Sequence, residues 1–361
     1  MHVRIPQTIR EHLLCESDLE PARMQSAGRV AAQFHRGRRL AVLAALVVGC
    51  GFAGAQTVQF QGVESTLPLT GSSTPQPVAL AVDALGDVFV SDLQNNDVVK
   101  LTPNGNSYVQ STVATGLVSP RGIAIDGSGN VYIADYGGQQ LYKATPSGNS
   151  YSLTTLLHGN CGAGPCAPDG VTVIESNIAF TSFGDNHIYY VSNSGGSPAA
   201  FLTLSANAKP RGLAWVTTNS APLQGTLFIS DYAEDEIWVA KYNAGWGAAV
   251  APAISGLSKP VYIALDASSN LYIGNEQNNE VVEAGWTGSA WASESTVTSS
   301  ALSEPDGVAI DGMGNVYIAD LGHNRVLKET RAGLSLGTVA VGSTGTAMLS
   351  FEFTSTATPA G

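Results

Sequence analysis

The sequence predicts an all-β protein, a six-bladed β-propeller, on three observations. A unit opened by proline recurs six times, at Pro77, Pro120, Pro168, Pro210, Pro260 and Pro305, with spacings of 43, 48, 42, 50 and 45 residues. A period in the forties built of hairpins is that of propeller blades. The apolar runs inside each unit are short, rich in Val, Ile, Tyr and Phe, and bounded by Gly, Asn and Asp, which suits strands rather than helices. Only 13% of the 361 residues are charged and 40 are glycine, as expected of stacked sheets joined by many turns.

Taken in order, residues 1–55 read as a leader. Arg36-Gly-Arg-Arg39 is a basic region, Leu40 to Val48 an apolar core, and Ala53-Gly-Ala55 a small-residue cleavage site before Gln56. The apolar core is shorter than the ~20 residues of a spanning helix. The expectation is an exported protein, secreted, periplasmic or on the cell surface. Two alternatives stay open: lipidation at Cys50, since Val47-Val-Gly-Cys50 resembles a lipobox, and an uncleaved membrane anchor.

Residues 56–331 are assigned to the propeller. Ser65-Thr-Leu-Pro-Leu-Thr70 matches segments that close other blades, such as Ser111 to Thr115 and Ser295 to Thr298. Residues 57–70 are therefore expected to give the last blade its outer strand, which covers an edge that would otherwise stay unpaired.

The best-formed unit is Pro305 to Lys328. Its apolar runs Val308 to Ile310, Val316 to Ala319 and Val326 to Leu327 are joined by Asp311-Gly-Met-Gly-Asn315 and Asp320 to Asn324. Asp311 is placed to hold its turn backbone. The copies at Pro77, Pro120 and Pro260 repeat the pattern. Those at Pro168 and Pro210 depart from it, with Ile174 and Val216 at the first Asp position and an insertion, Thr217 to Gly225, in the fourth unit. The fifth has Ser269 for the turn glycine and Asn275 for the second Asp. Runs such as Val131-Tyr-Ile-Ala134 are apolar on both faces, as blades sandwiched between blades require.

Residues 332–361 form a separate tail. Leu334 to Ser343 and Ala347 to Phe353 read as two strands and resemble the opening of an Ig-like domain, although ~30 residues are too few for a sandwich of ~100.

These units resemble the NHL repeat family, whose motif runs Pro-x-Gly-aliphatic-Ala-aliphatic-Asp, Gly-Asn-aliphatic-Tyr-aliphatic-Ala-Asp and Asn-x-Arg-aliphatic. Pro120 to Asp135 and Pro305 to Leu327 match closely. The resemblance implies a six-bladed ring serving as a non-catalytic binding or scaffold module, expected to be a monomer, that recognises a protein, peptide or polar ligand on one loop face. Some NHL propellers bind RNA through a basic face. Here residues 1–55 hold seven of the 17 Lys and Arg and four of the 29 acids, which leaves 10 against 25, a net charge of −15. That field repels phosphate and argues against nucleic acid.

The alternative is a metal-dependent hydrolase or lyase of the lactonase or streptogramin-lyase type, with one Ca or Zn in the central channel. NHL-like enzymes such as the peptidylglycine amidating lyase hold zinc with converging histidines. Here His158, His187 and His323 fall in different units and form no recognisable cluster, so no metal ligand and no catalytic residue is assigned. The recurrent acids Asp83, Asp126, Asp266 and Asp311, then Asp92, Asp135, Asp231 and Asp320, repeat around the ring as turn formers, whereas a catalytic pair belongs to one place. Cys161 and Cys166 flank a short loop and are expected to form a disulfide.

The ligand site is expected where two sets of loops meet. In propellers of this kind, the residue x of each Pro-x-Gly and the residue after the second Asp position surround the channel entrance. The first set contains Arg121, Asp169, Arg211 and Asp306, with Val78 and Val261; the second contains Tyr136, Phe183, Tyr232 and Glu276, with Leu93 and Leu321. Arginines, acids and aromatics together suit a polar ligand or a peptide. They equally suit an internal Arg–Asp network that ties the loops together.

Overall fold

All six predicted prolines begin a strand. The inner strands are Pro77–Val82, Pro120–Ile125, Pro168–Ile174, Pro210–Val216, Pro260–Leu265 and Pro305–Ile310. The computed structural model describes residues 57–60 and 64–335, apart from 162–165, 184, 217–222, 224, 242–249, 287–290, 292–294 and 298–299. Residues 1–55, read above as a leader, most of the fourth-blade insertion and the tail beyond residue 335 lie outside the described residues. No helix among the described residues is long and apolar enough to cross a membrane.

Residues 63–330 form one unit, a six-bladed propeller of four-stranded antiparallel sheets. Blades one to five each use four consecutive strands. Blade six takes Pro305–Ile310, Val316–Asp320 and Arg325–Glu329, then borrows Glu64–Leu67 as its outer strand. The register runs from Glu64 opposite Glu329 to Leu67 opposite Val326. Each inner strand packs on the next, and Pro305–Ile310 packs on Pro77–Val82, which closes the ring.

The closing strand is shorter than the sequence suggests. Thr57–Phe60 pairs instead with Ala332–Ser335, in a second unit of its own. That pairing begins the C-terminal β extension, two residues before the strand read from Leu334.

Each second strand, for example Val131–Asp135, is buried at every position, save Asn177 at the start of that in blade three. The two-residue period sends alternate side chains to opposite blade interfaces. Val131 and Ile133 pack with Phe89 of blade one, while Tyr132 packs with Ile178 and Phe180 of blade three. Six such clusters, one per interface, make up the core.

The recurrent acids hold turns. Asp126 Oδ1 accepts from the Ser128 and Asn130 amides, and its Oδ2 accepts from the Tyr132 hydroxyl at 2.9 Å. Asp83, Asp266 and Asp311 repeat the amide pattern. The second set ties each blade to its approach loop: Asp231 Oδ1 accepts from Lys209 N at 2.9 Å and Asp320 Oδ1 from Ser303 N at 2.7 Å. Asn275 does the same from Ser258 N at 2.7 Å. Arg325 donates to Asp320 Oδ2 at 2.7 Å, which explains the arginine of the third motif segment. In the irregular blades the hairpins survive: Glu175 and Ser269 take positive φ of 53° and 68°.

Candidate functional site

Every inner strand carries the same irregularity. Pro305 pairs with Asp320, but Val308 pairs with Ile318, so one extra residue is inserted at x-Gly; the other five blades repeat this shift. Such a bulge turns a side chain out of the sheet's alternation. The glycine has a second reason. A Cβ on Gly212 would lie 2.5 Å from the Val261 carbonyl oxygen, and one on Gly307 would lie 2.5 Å from that of Val78. Neighbouring blades thus touch backbone to backbone beneath the mouth.

At this level the x residues form one charged network. Asp169, fully buried, accepts from Arg121 Nη1 at 2.6 Å and lies 3.5 Å from Arg211 Nε. Arg211 reaches Glu276 at 3.5 Å and Asp306 at 3.7 Å, so three carboxylates surround one guanidinium. Burial works to raise the Asp169 pKa, but Arg211 and Arg121, with the Tyr262 hydroxyl, hold it below the ordinary carboxylate value. Burial pushes Asp306 up to about 7; Glu276 and Asp169 add to the rise, while Arg211 opposes it.

Aromatic rings line the same rim. Tyr136, Phe183 and Tyr232 follow one another edge to face, at 6.4 and 6.1 Å between centroids. Arg121 lies over Tyr136 at 4.0 Å and Arg211 over Tyr232 at 5.2 Å.

The mouth encloses a cavity of about 240 Å³, lined by Val78, Leu93, Arg121, Phe183, Arg211, Tyr232, Glu276, Asp306 and Leu321. All nine belong to the two sets read from the sequence. Tyr136 and Asp169 stand behind this lining, one under Arg121 and the other as the buried hub. The cavity is two-sided: blades one and six contribute Val78, Leu93 and Leu321 beside Asp306, whereas blades two to five contribute charge and aromatic rings. Two of its buried polar atoms, Asp306 Oδ1 and Arg211 Nε, have no hydrogen-bond partner among the described residues.

One member went unread in the sequence. Tyr262 stands where Pro-x-Gly has its glycine, and its hydroxyl donates to Asp169 Oδ1 at 2.7 Å. The broken motif Pro260-Val-Tyr262 was the signal. Lys209 and Lys259, just before their prolines, also reach the rim, over Phe183 and Tyr232 at 5.4 Å each.

The remaining candidates lie elsewhere. His158 ends the strand Ser150–His158, His187 begins His187–Ser192, and His323 contacts Asp320 at 2.9 Å. Among the described residues no three His, Cys, Asp or Glu are grouped to hold a metal ion. Cys161 and Cys166 are bonded to each other, with Cα atoms 5.2 Å apart.

The NHL repeat family matches residues 302–328, the span that forms most of blade six. The chain carries an NHL repeat. Solved structures similar to this NHL-repeat propeller include a streptogramin B lyase, 13% identical, covering 75% of this chain and 98% of that one with a TM-score of 0.55. A gluconolactonase from Xanthomonas campestris is 13% identical over 78% and 99%, with a TM-score of 0.57. A chain of a nidogen/laminin complex is 18% identical over 65% and 86%, with a TM-score of 0.52. At these identities the likeness is one of fold. No curated protein matches the sequence.

Proposed function

We propose that this propeller is an exported, non-catalytic binding module that takes a small polar ligand or the end of a peptide in the channel mouth. One observation carries the reading: a cavity with an aromatic and an apolar wall is lined by Asp306 and Arg211, whose buried Oδ1 and Nε have ion-pair neighbours at 3.5–3.7 Å but no hydrogen bond. Buried polar groups are normally satisfied, and a ligand would supply the missing partners. The export element rests on the leader in the sequence.

The fold itself is neutral on chemistry, since similar propellers include a lyase and a chain of a protein complex. A metal-dependent reaction fits these residues poorly. The carboxylates that could meet a divalent ion at the mouth, Asp169, Glu276 and Asp306, all face Arg211, whose guanidinium already stands among them.

The test is a calorimetric screen of short peptides and polar metabolites against the wild type, Arg121→Ala and Phe183→Ala. A saturable ligand lost in both variants supports the reading. A ligand bound equally by all three places its site elsewhere. Turnover of the ligand, or about one equivalent of metal removed by chelation together with a lowered melting point, overturns the non-catalytic role.

A further inference from the structure

The charges of the buried network at the mouth do not balance. The buried network holds two cations, Arg121 and Arg211, and three carboxylates, Asp169, Glu276 and Asp306. Tyr262 is uncharged there, since burial and the Asp169 charge raise its pKa well above the usual value. Lys209 and Lys259 meet the aromatic rings of Phe183 and Tyr232. Both of these cations stand at the rim; within the buried network one negative charge is left over.

The geometry says where it falls. Asp169 takes both arginines and the Tyr262 hydroxyl. Glu276 has Arg211 and the Tyr232 hydroxyl, each at 3.5 Å. Asp306 has only Arg211 Nη2, 3.7 Å from its Oδ1 and too far for a hydrogen bond, while its side chain, 6% exposed, lines the cavity. The groups facing Asp306 from the other blades are Arg211, Glu276, Asp169, Arg121 and Tyr262. From its own blade and blade one, the lining is Leu321, Val78 and Leu93.

We propose that the mouth takes an organic cation, a primary ammonium that donates to the Asp306 carboxylate while its apolar body lies against Val78, Leu93 and Leu321. This rests on the binding-module reading and names its ligand class. A hard metal cation is the weaker match for the surplus charge, because it needs six or more oxygens and this corner offers one carboxylate beside three apolar side chains. An ammonium needs a few acceptors and tolerates apolar neighbours.

The inference also fixes a pH dependence. Asp306, raised to about 7 by its burial, must be ionised to accept the cation. Affinity should therefore rise about tenfold from pH 6 to pH 8, and binding should release protons.

The test is calorimetric titration of the full chain with isopentylamine, with isopentanol (the same body without charge) and with calcium chloride, at pH 6 and pH 8. Asp306→Asn keeps the shape and removes the charge. The expected result is saturable amine binding that strengthens at pH 8, much weaker alcohol binding, and a loss of about ten- to a hundredfold in Asp306→Asn. Amine and alcohol binding alike, or an Asp306→Asn variant that holds the amine as well as the wild type, overturns the proposal. Calcium bound stoichiometrically and displacing the amine overturns it in favour of a metal. If the amine fails while a neutral or anionic ligand is lost in Arg121→Ala and Phe183→Ala, the amine inference falls and the binding module stands.

Discussion

Arg211→Met is the most searching single change. Arg211 is 7% exposed and lies within 3.5 to 3.7 Å of three carboxylates. At an effective dielectric near 20 each contact contributes about 4 to 5 kcal/mol of gross attraction. Desolvation cancels most of that, and removing one partner of a buried pair leaves a net loss of about 3–5 kcal/mol. For a ring of this size that is roughly 10 °C in melting temperature. The sign with pH follows from the acids left behind. Without Arg211 the folded-state pKa values of Asp169 and Asp306 rise. A carboxylate raised above its unfolded value disfavours the fold as pH climbs past about 4. The variant should therefore lose most stability at pH 8 and recover towards pH 5, in thermal and urea melts run in parallel with the wild type. Adding Asp306→Asn to Arg211→Met should restore part of the loss at pH 8. A loss below about 1 kcal/mol, or one equal at both pH values, would refute the buried network as described.

Three further outcomes follow from the fold. Leu67→Ala, in the borrowed strand, removes a side chain that is 3% exposed and packs in the cluster with Leu80 and Tyr317; urea melts should show a loss of about 2–5 kcal/mol. Gly307→Ala places a methyl 2.5 Å from the Val78 carbonyl oxygen; it should cost about 1–3 kcal/mol in the same melts, against almost nothing for Gly312→Ala, which has open space around it. Replacing Cys161 and Cys166 together by serine opens a loop of six residues; chain entropy gives a loss of about 2 kcal/mol, and a melt unchanged by reductant would contradict it.

The fold was legible because its signals are local. A proline marks the first residue of each inner strand, an Asp with Gly or Asn marks the first hairpin of blades one, two, five and six, and a largely apolar run marks each second strand; none of these needs a distant partner to be recognised. Outer strands were harder to bound. Ser107–Ala114 is mostly exposed, so its pattern is weak, and Glu64–Leu67 is paired by a strand at the other end of the sequence. The mouth was legible through the resemblance, since propellers of this kind place the x of Pro-x-Gly and the residue after the second Asp at the channel entrance; the bulge at x-Gly is the physical reason. The pairings could not be listed. Tyr262 and Asp169 are 93 residues apart and meet only because the ring closes. Tyr262 stands in the glycine's place of its motif, and nothing local to it shows the partner it meets across the ring.

The borrowed strand has a consequence for the order in which the molecule is built. Glu64–Leu67 emerges early in synthesis, yet its partner Arg325–Glu329 emerges some 265 residues later. Closing a segment that long costs about 4 kcal/mol more in chain entropy than closing a four-residue hairpin, so this seam should form last. Until it does, Arg325–Glu329 is a naked sheet edge, open to the same four-residue segment of any neighbouring chain. Refolding yield should therefore fall steeply with protein concentration, and the species lost should be swapped oligomers joined through blade six.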